Sequence, residues 1–282
     1  MKGAICGDVI GSRFERKNTS NKNFKLLAER NFRSRGSHYT DDTYLTVAIA
    51  DAFLHLSDEE IKDDNKVVET IKNYLIQYGF GDIKNYFGRK YREWIESANH
   101  EPYGAFSNGA LMRCSSAAYV ATTVEDAYRL GGLTAMPTHN SEEAIKAASV
   151  LCESIFLMNH GFIKTKDDYK TFITKYYPIL TASEIIDENE NYKSTHDGDF
   201  DITCNHAIKA GIVAFLNANS FEDAIRTAIS YGGDSDTIAD IAGSLAEAYY
   251  GVPNDIWEQV SSRLTKDMLD VIDSFYNRFV TE

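Results

Sequence analysis

Two short acid-rich stretches, each opening a strongly periodic apolar run, constrain this chain more than any other feature. The first is Thr40-Asp41-Asp42-Thr43, followed by Leu45, Ala48, Ile49, Ala52, Phe53 and Leu56. The second is Tyr231-Gly232-Gly233-Asp234-Ser235-Asp236-Thr237, followed by Ile238, Ile241, Ala242, Leu245, Ala248 and Tyr249. Steps of three and four residues put each set on one face of a helix, so both acidic clusters stand at helix N-termini. A carboxylate is favoured there by the free N–H groups and the helix dipole. One capping side chain meets that need, and taken singly each cluster is explained by capping. Two carboxylates and a threonine at both starts exceed it. If the two starts meet, their carboxylates repel unless a cation offsets them, and Mg²⁺ or Mn²⁺ takes oxygen ligands of this kind.

The rest of the chain predicts an all-α fold. Helical stripes recur throughout, β-type alternation is scarce, and only four prolines occur. At 282 residues the chain can bury a sizeable core in one large domain or two small ones. A formal charge of −13 argues against general nucleic-acid or anionic-membrane binding, which needs a basic face. An anionic small ligand is still allowed, because bound cations reverse the local sign. Cys6, Cys114, Cys152 and Cys204 lie far apart without CxxC spacing, and read as buried reduced thiols of a cytoplasmic protein. The start carries no secretory h-region, and no stretch reaches the roughly 18 apolar residues of a membrane span. A monomer is the expectation.

Gly3, Gly7 and Gly11 share one face of an N-terminal helix, where small residues let another helix approach closely. Phosphate-loop and dinucleotide readings fail there, since no Gly-Lys-Ser/Thr ending follows and no strand precedes. Glu15 comes one turn after Gly11; taken alone it reads as a solvated surface glutamate. Asn18 to His38 reads as a long loop, a form that is often functional. Ser57 to Tyr78 is an amphipathic helical stretch, and Tyr86 to Ile95, which mixes aromatics with Arg89, Lys90 and Arg92, reads as an exposed helix rather than a basic binding patch. Tyr103 to Arg113 is a Gly- and Asn-containing loop leading into an Ala-rich helix. Free backbone N–H groups in such a loop can hold a phosphate, and Phe106 or Tyr103 could stack on a base. His139 stands at the mouth of a helix running to about Met158. Residues 159–200 read as a surface excursion ending in an acidic loop, Asp187 to Asp201.

Taken in order, Gly7-Asp8-x-x-Gly11-x-x-x-Glu15, Thr40-Asp41-Asp42-Thr43, Ser107-Asn108-Gly109-x-x-Met112-Arg113, Thr138-His139 and Gly232-Gly233-Asp234-Ser235-Asp236-Thr237 make the chain resemble the ADP-ribosylglycohydrolase family. That family includes the dinitrogenase reductase-activating glycohydrolases, and the resemblance spans nearly the whole length. It implies a single compact, orthogonal all-α domain over residues 1–282, two Mg²⁺ (or Mn²⁺) ions, and hydrolysis of a glycosidic bond at C1″ of ADP-ribose. Carried over by position, Thr40, Asp41, Asp42, Asp234, Asp236 and Thr237 would ligate metal. Glu15, with Asp41 and Asp42, would form the catalytic set. Phe106, Ser107, Asn108, Gly109, Ala110, Met112 and His139 would bind substrate, with Asn108, Gly109 and Ala110 along the diphosphate. Ser115-Ser116 and Cys204-Asn205-His206-Ala207 depart from the commoner bacterial pattern, which bears on the acceptor.

The residues fit this chemistry without the name. Cleavage at an anomeric carbon passes through an oxocarbenium-like state, helped by a positioned water and an acid or base. Vicinal ribose hydroxyls suit a pair of hard cations. The implied partner is ADP-ribose or an ADP-ribosylated protein, with ADP-ribosyl-arginine the first choice. ADP-ribosyl-serine, O-acetyl-ADP-ribose or another small conjugate are alternatives, as is a silent ADP-ribose binder or structural relative such as the lens crystallins on this scaffold. The last motif also has an Asp-x-Asp-x-Thr-like look that resembles haloacid-dehalogenase phosphatases. Those place it after a strand, whereas Phe221 to Ile229 has helical spacing.

Overall fold

The structure is a computed structural model and describes residues 1–15, 21–32, 34–81 and 86–280. Among these residues the chain forms fourteen α-helices: α1 Lys2–Gly11, α2 Asp41–Leu54, α3 Asp64–Gly79, α4 Arg89–Glu96, α5 Ala117–Val120, α6 Val124–Ala135 and α7 Glu142–Asn159, then α8 Lys166–Ile173, α9 Ala182–Thr195, α10 Cys204–Asn217, α11 Phe221–Ser230, α12 Ser235–Tyr250, α13 Asn254–Ser261 and α14 Lys266–Phe279. Two isolated bridges, Asn31 with Ser34 and Ser107 with Thr203, are the only β pairing recorded among the described residues. The all-α expectation holds. Most helices start where a Ser or Thr side chain accepts an N–H of the first turn: Thr40, Thr123, Ser141, Thr165, Thr181, Thr203, Ser220 and Thr265.

The centre of the fold is α12. Its residues Ser235 through Ala246 are buried on every side, the pattern of a helix enclosed by others rather than laid on a surface. It packs against α1, α7, α10 and α11. The approach of α1 is the tightest, for the reason the glycine spacing gives. A Cβ on Gly3 would lie 2.2 Å from Gly243 O, one on Gly7 2.1 Å from Ala239 O, and one on Gly11 2.6 Å from Asp236 Cα. No side chain fits in those gaps, so the two backbones touch. Around this pair, α2 packs on α3 and α14, and α6 pairs with α7.

Two stretches differ from the sequence reading. Residues 187–195 belong to α9 rather than to an acidic loop. A capping box at Thr181 and Glu184 starts that helix, but only Ile185 and Asn189 are buried, so it shows almost no apolar stripe. Tyr86 to Ile95 does contain a helix, α4, yet Tyr91, Trp94 and Ile95 are buried, and it is not an exposed element. The long loop lacks helices in its described part, while residues 18–20 and 33 lie outside the described residues. All four cysteines are free and buried, as expected. Among the described residues no helix is long and apolar enough to cross a membrane.

Candidate active site

Asp8 joins the first two helices. It is fully buried on α1, and its carboxylate accepts from Thr40 N (2.9 Å), Thr40 Oγ1 (2.8 Å), Thr43 N (3.1 Å) and Thr43 Oγ1 (2.5 Å). One carboxylate therefore satisfies two N–H groups at the start of α2 and holds that start against α1. Burial raises Asp8 above its ordinary value, and these four bonds pull the other way.

The start of α12 is delivered by two consecutive glycines with positive φ, Gly232 (74°) and Gly233 (72°). Side-chain-bearing residues rarely take that conformation, so the pair is required by the turn. Asp234 is the N-cap residue, but its side chain makes no capping bond. Asp234 Oδ2 instead accepts from Asn108 Nδ2 at 2.7 Å. Thr237 then closes the site: its hydroxyl donates to Asp42 Oδ2 at 2.7 Å, linking residues 195 apart in sequence. The two acid-rich helix starts do face one another.

Above them lies a cavity of about 460 Å³ lined by Glu15, Thr40, Asp41, Asp42, Asp234, Asp236 and Thr237. The acids raise one another. Burial, then Asp8, with Asp234 and Glu15 adding, push Asp41 up to about 8. Asp42 is raised well above the usual range by burial, then Asp8 and Asp236. Asp236 is raised by burial, then Asp234 and Glu15. Among the described residues no group of three or more Asp, Glu, His or Cys side chains is arranged to hold a metal ion as it stands. The donor set itself, carboxylates and threonine hydroxyls, is the chemistry a hard divalent cation takes. By donor type these residues fit such an ion.

The wall carries the loop expected to meet the substrate. Asn108 N donates to Ile202 O (2.7 Å) and Cys204 N to Phe106 O (2.9 Å), pinning the loop to the start of α10. The N–H of Asn108 is thus engaged rather than free. Asn108–Ala110 form a 3₁₀ turn. Ser107, Asn108, Gly109 and Met112 line the cavity, whereas Ala110 is fully buried in the turn and is absent from the lining. Phe106 stands at the mouth with 54% of its surface exposed. His139 is buried on the wall, with Nε2 2.9 Å from Ser107 Oγ and Nδ1 2.7 Å from Thr138 Oγ1. Burial, then the charges of Arg113 and Lys90, hold it well below the usual histidine range.

Sequence reasoning overlooked part of this wall. Arg89 and Lys90, at the start of α4, line the cavity, as do Tyr91 and the buried Arg113. The signal for Arg113 was its place inside an apolar Gly/Ala/Leu/Met run, where a lone cation is out of character. For Arg89 and Lys90 the signal was the mix of aromatic and basic residues over 86–95, set aside above in favour of an exposed helix.

The all-helical fold is similar to that of a solved ADP-ribosylglycohydrolase-related protein complex. The likeness has a TM-score of 0.62 at 21% identity and covers 98% of this chain and 94% of that one. The ADP-ribosylglycohydrolase family model matches residues 1–282, and the chain belongs to that family. Among curated relatives, it is 24% identical to the Homo sapiens ADP-ribosylhydrolase ARH3, over 92% of this chain and 87% of that one. It is also 24% identical to the ADP-ribosylarginine hydrolase Tri1 of Pseudomonas putida (strain GB-1), over 96% and 76% respectively.

Proposed function

We propose that this chain hydrolyses the glycosidic bond at C1″ of ADP-ribose and releases ADP-ribose from a modified acceptor, an ADP-ribosyl-arginine protein before other conjugates. Membership of the family and the names of the relatives support ADP-ribose hydrolysis in general. The single observation carrying the reading to the site is the Thr237–Asp42 hydrogen bond, which brings both acidic helix starts to one cavity floor. Thr40, Asp41, Asp42, Asp234, Asp236 and Thr237 are the residues that would hold two Mg²⁺ or Mn²⁺ ions. Such ions, when bound, supply charge neutralisation and Lewis-acid polarisation of hydroxyl oxygens.

The chain's own groups divide the remaining work. Phe106 offers an exposed ring at the mouth on which a base can stack. The turn at Asn108–Ala110 runs beside the diphosphate, while the Asn108 side chain keeps Asp234 in place. His139 gives the substrate a neutral polar contact. Glu15, half-buried on the cavity lining, takes a proton from or steers the water that attacks C1″ as positive charge develops there. The test is ADP-ribose release from an arginine-ADP-ribosylated protein, with and without Mg²⁺, followed by defined serine and acetyl-ester conjugates. Release from the arginine conjugate is expected, and Glu15→Gln should lower kcat by roughly 10²- to 10⁴-fold. Wild-type turnover by Glu15→Gln removes the role given to Glu15. ADP-ribose binding without release from any conjugate would make the chain a binder instead.

A further inference from the structure

Five carboxylates line the cavity, and so do three cations, Arg89, Lys90 and Arg113. Arg113 is fully buried, and a guanidinium can only donate. Its Nη2 donates to Thr138 Oγ1 and Thr134 O, both neutral, while Nε and Nη1 find no partner among the described residues. A buried charge held only by neutral groups is costly unless an opposite charge comes to it. Tyr91, in the first turn of α4, is the side chain that acts on Arg113 most strongly. Helix α4 opens at Gly88, which supplies no side-chain cap. Gly88, Arg89 and Lys90 all line the cavity, so the N–H groups of that first turn lie at its edge. A Cβ on Gly88 would meet nothing within 4 Å, so the space before the helix start is open. Arg89 is paired with Glu93 at 3.7 Å. Among the described residues no carboxylate pairs with Lys90. The charges of Lys90 and Arg113 both reach His139, which stands beside Ser107 and Gly109. That turn has one donor fewer for an anion, because Asn108 N is given to Ile202 O.

We infer that the start of α4, with Lys90 and Arg113, is an anion-binding wall that takes the phosphate groups of the ligand. Calling that anion the diphosphate of ADP-ribose rests on the function proposed above; the preference for a phosphate over a neutral ligand does not. The carboxylates of the floor repel any phosphate entering the cavity, so a cation must stand where the phosphate comes to rest. Lys90 is the contact: an ammonium on a flexible stem reaches the anion as a point charge. Arg113 adds a fixed charge from inside the wall, which salt screens little because it is buried. The first-turn N–H groups of α4 and its dipole act in the same sense. A ligand is thereby sorted along its length, with its hydroxyl-bearing end at the acids and its phosphates at the cations.

Isothermal titration of the full-length protein with ADP and with adenosine, at fixed Mg²⁺ and low salt, separates charge from shape. Lys90→Gln should weaken ADP about five- to tenfold and leave adenosine within about twofold. Lys90→Arg should recover most of the loss, since it keeps the charge. Gly88→Asp puts a capping carboxylate into the open space before α4, which favours the helix and opposes an anion. It should weaken ADP by about fivefold or more, while the denaturant midpoint holds or rises. Unchanged ADP affinity in both variants overturns the inference. An equal loss for ADP and adenosine in Lys90→Gln overturns it too, as does a wild type that binds no ADP. A protein that behaves as described with ADP, yet releases ADP-ribose from no conjugate, defeats the proposed function and leaves the wall. Release from a conjugate, with KM and ADP affinity unchanged in both variants, defeats the wall and leaves the function.

Discussion

Asp240 is a buried carboxyl to which the site gives no partner. It sits one turn beyond Asp236 on α12, fully buried, with neither oxygen hydrogen-bonded. Burial raises its pKa well above the ordinary value, and Asp8 and Cys114 add to the effect. A carboxyl with a raised folded value binds its proton more tightly folded than unfolded. Its contribution to stability is therefore greatest near the unfolded value of about 4 and is lost as pH rises towards the folded one. Asp240→Asn removes that titration while keeping the shape. The variant should be more stable than wild type at pH 8 and differ little from it near pH 4. Urea midpoints at the two pH values measure this, and an equal loss at both would show that Asp240 has a partner after all.

At the scale of helices, the contact between α1 and α12 positions the floor. It places Asp8 against the start of α2 and Asp236 beneath the cavity. Gly7→Ala would push a methyl to 2.1 Å from Ala239 O, a backbone atom that cannot turn aside. Overpacking of this kind costs about 1–3 kcal/mol or more. The expected outcome is a lower denaturant midpoint, together with a fall in activity larger than the fraction unfolded explains. Normal activity in the folded fraction would show that the helix contact and the floor are independent. Much of this was legible in the sequence, because the Gly3-Gly7-Gly11 spacing and the two acidic starts carry their period in the chain. What stayed illegible has physical causes too. Helix α9 is held by its capping box and a single buried turn, so no stripe betrays it. The hydrogen bonds that join Arg113 to Thr138 and Thr138 to His139 depend on where α6 ends relative to the loop at 103–113, a packing relation that no local pattern encodes. Lys90 was read as surface charge because only the placement of α4 turns it towards a cavity.

For the molecule as a whole, the formal charge of −13 and the clustered acids make stability a function of protons and cations together. Asp41 is pushed up to about 8, and Asp42 and Asp236 are raised as well. In the metal-free protein these groups keep protons that the unfolded chain releases above about pH 4, so their contribution falls as pH rises from about 4 to about 8. If the floor binds Mg²⁺ or Mn²⁺ as proposed, only deprotonated carboxylates can serve, and binding must expel the protons still held. The stabilisation given by a fixed Mg²⁺ concentration should then grow with pH. At about a hundred times Kd it amounts to about 2.7 kcal/mol, and as pH drops the apparent Kd rises and the gain shrinks. Thermal melts with Mg²⁺ and with EDTA, at pH 6 and at pH 8, measure both trends. The EDTA curve should fall with pH while the Mg²⁺ increment widens. Adding Mg²⁺ to weakly buffered protein at pH 7 should release protons. An increment equal at the two pH values, with no proton release, would mean that the ion binds away from the raised carboxylates. The facing of the two helix starts would then need a different explanation.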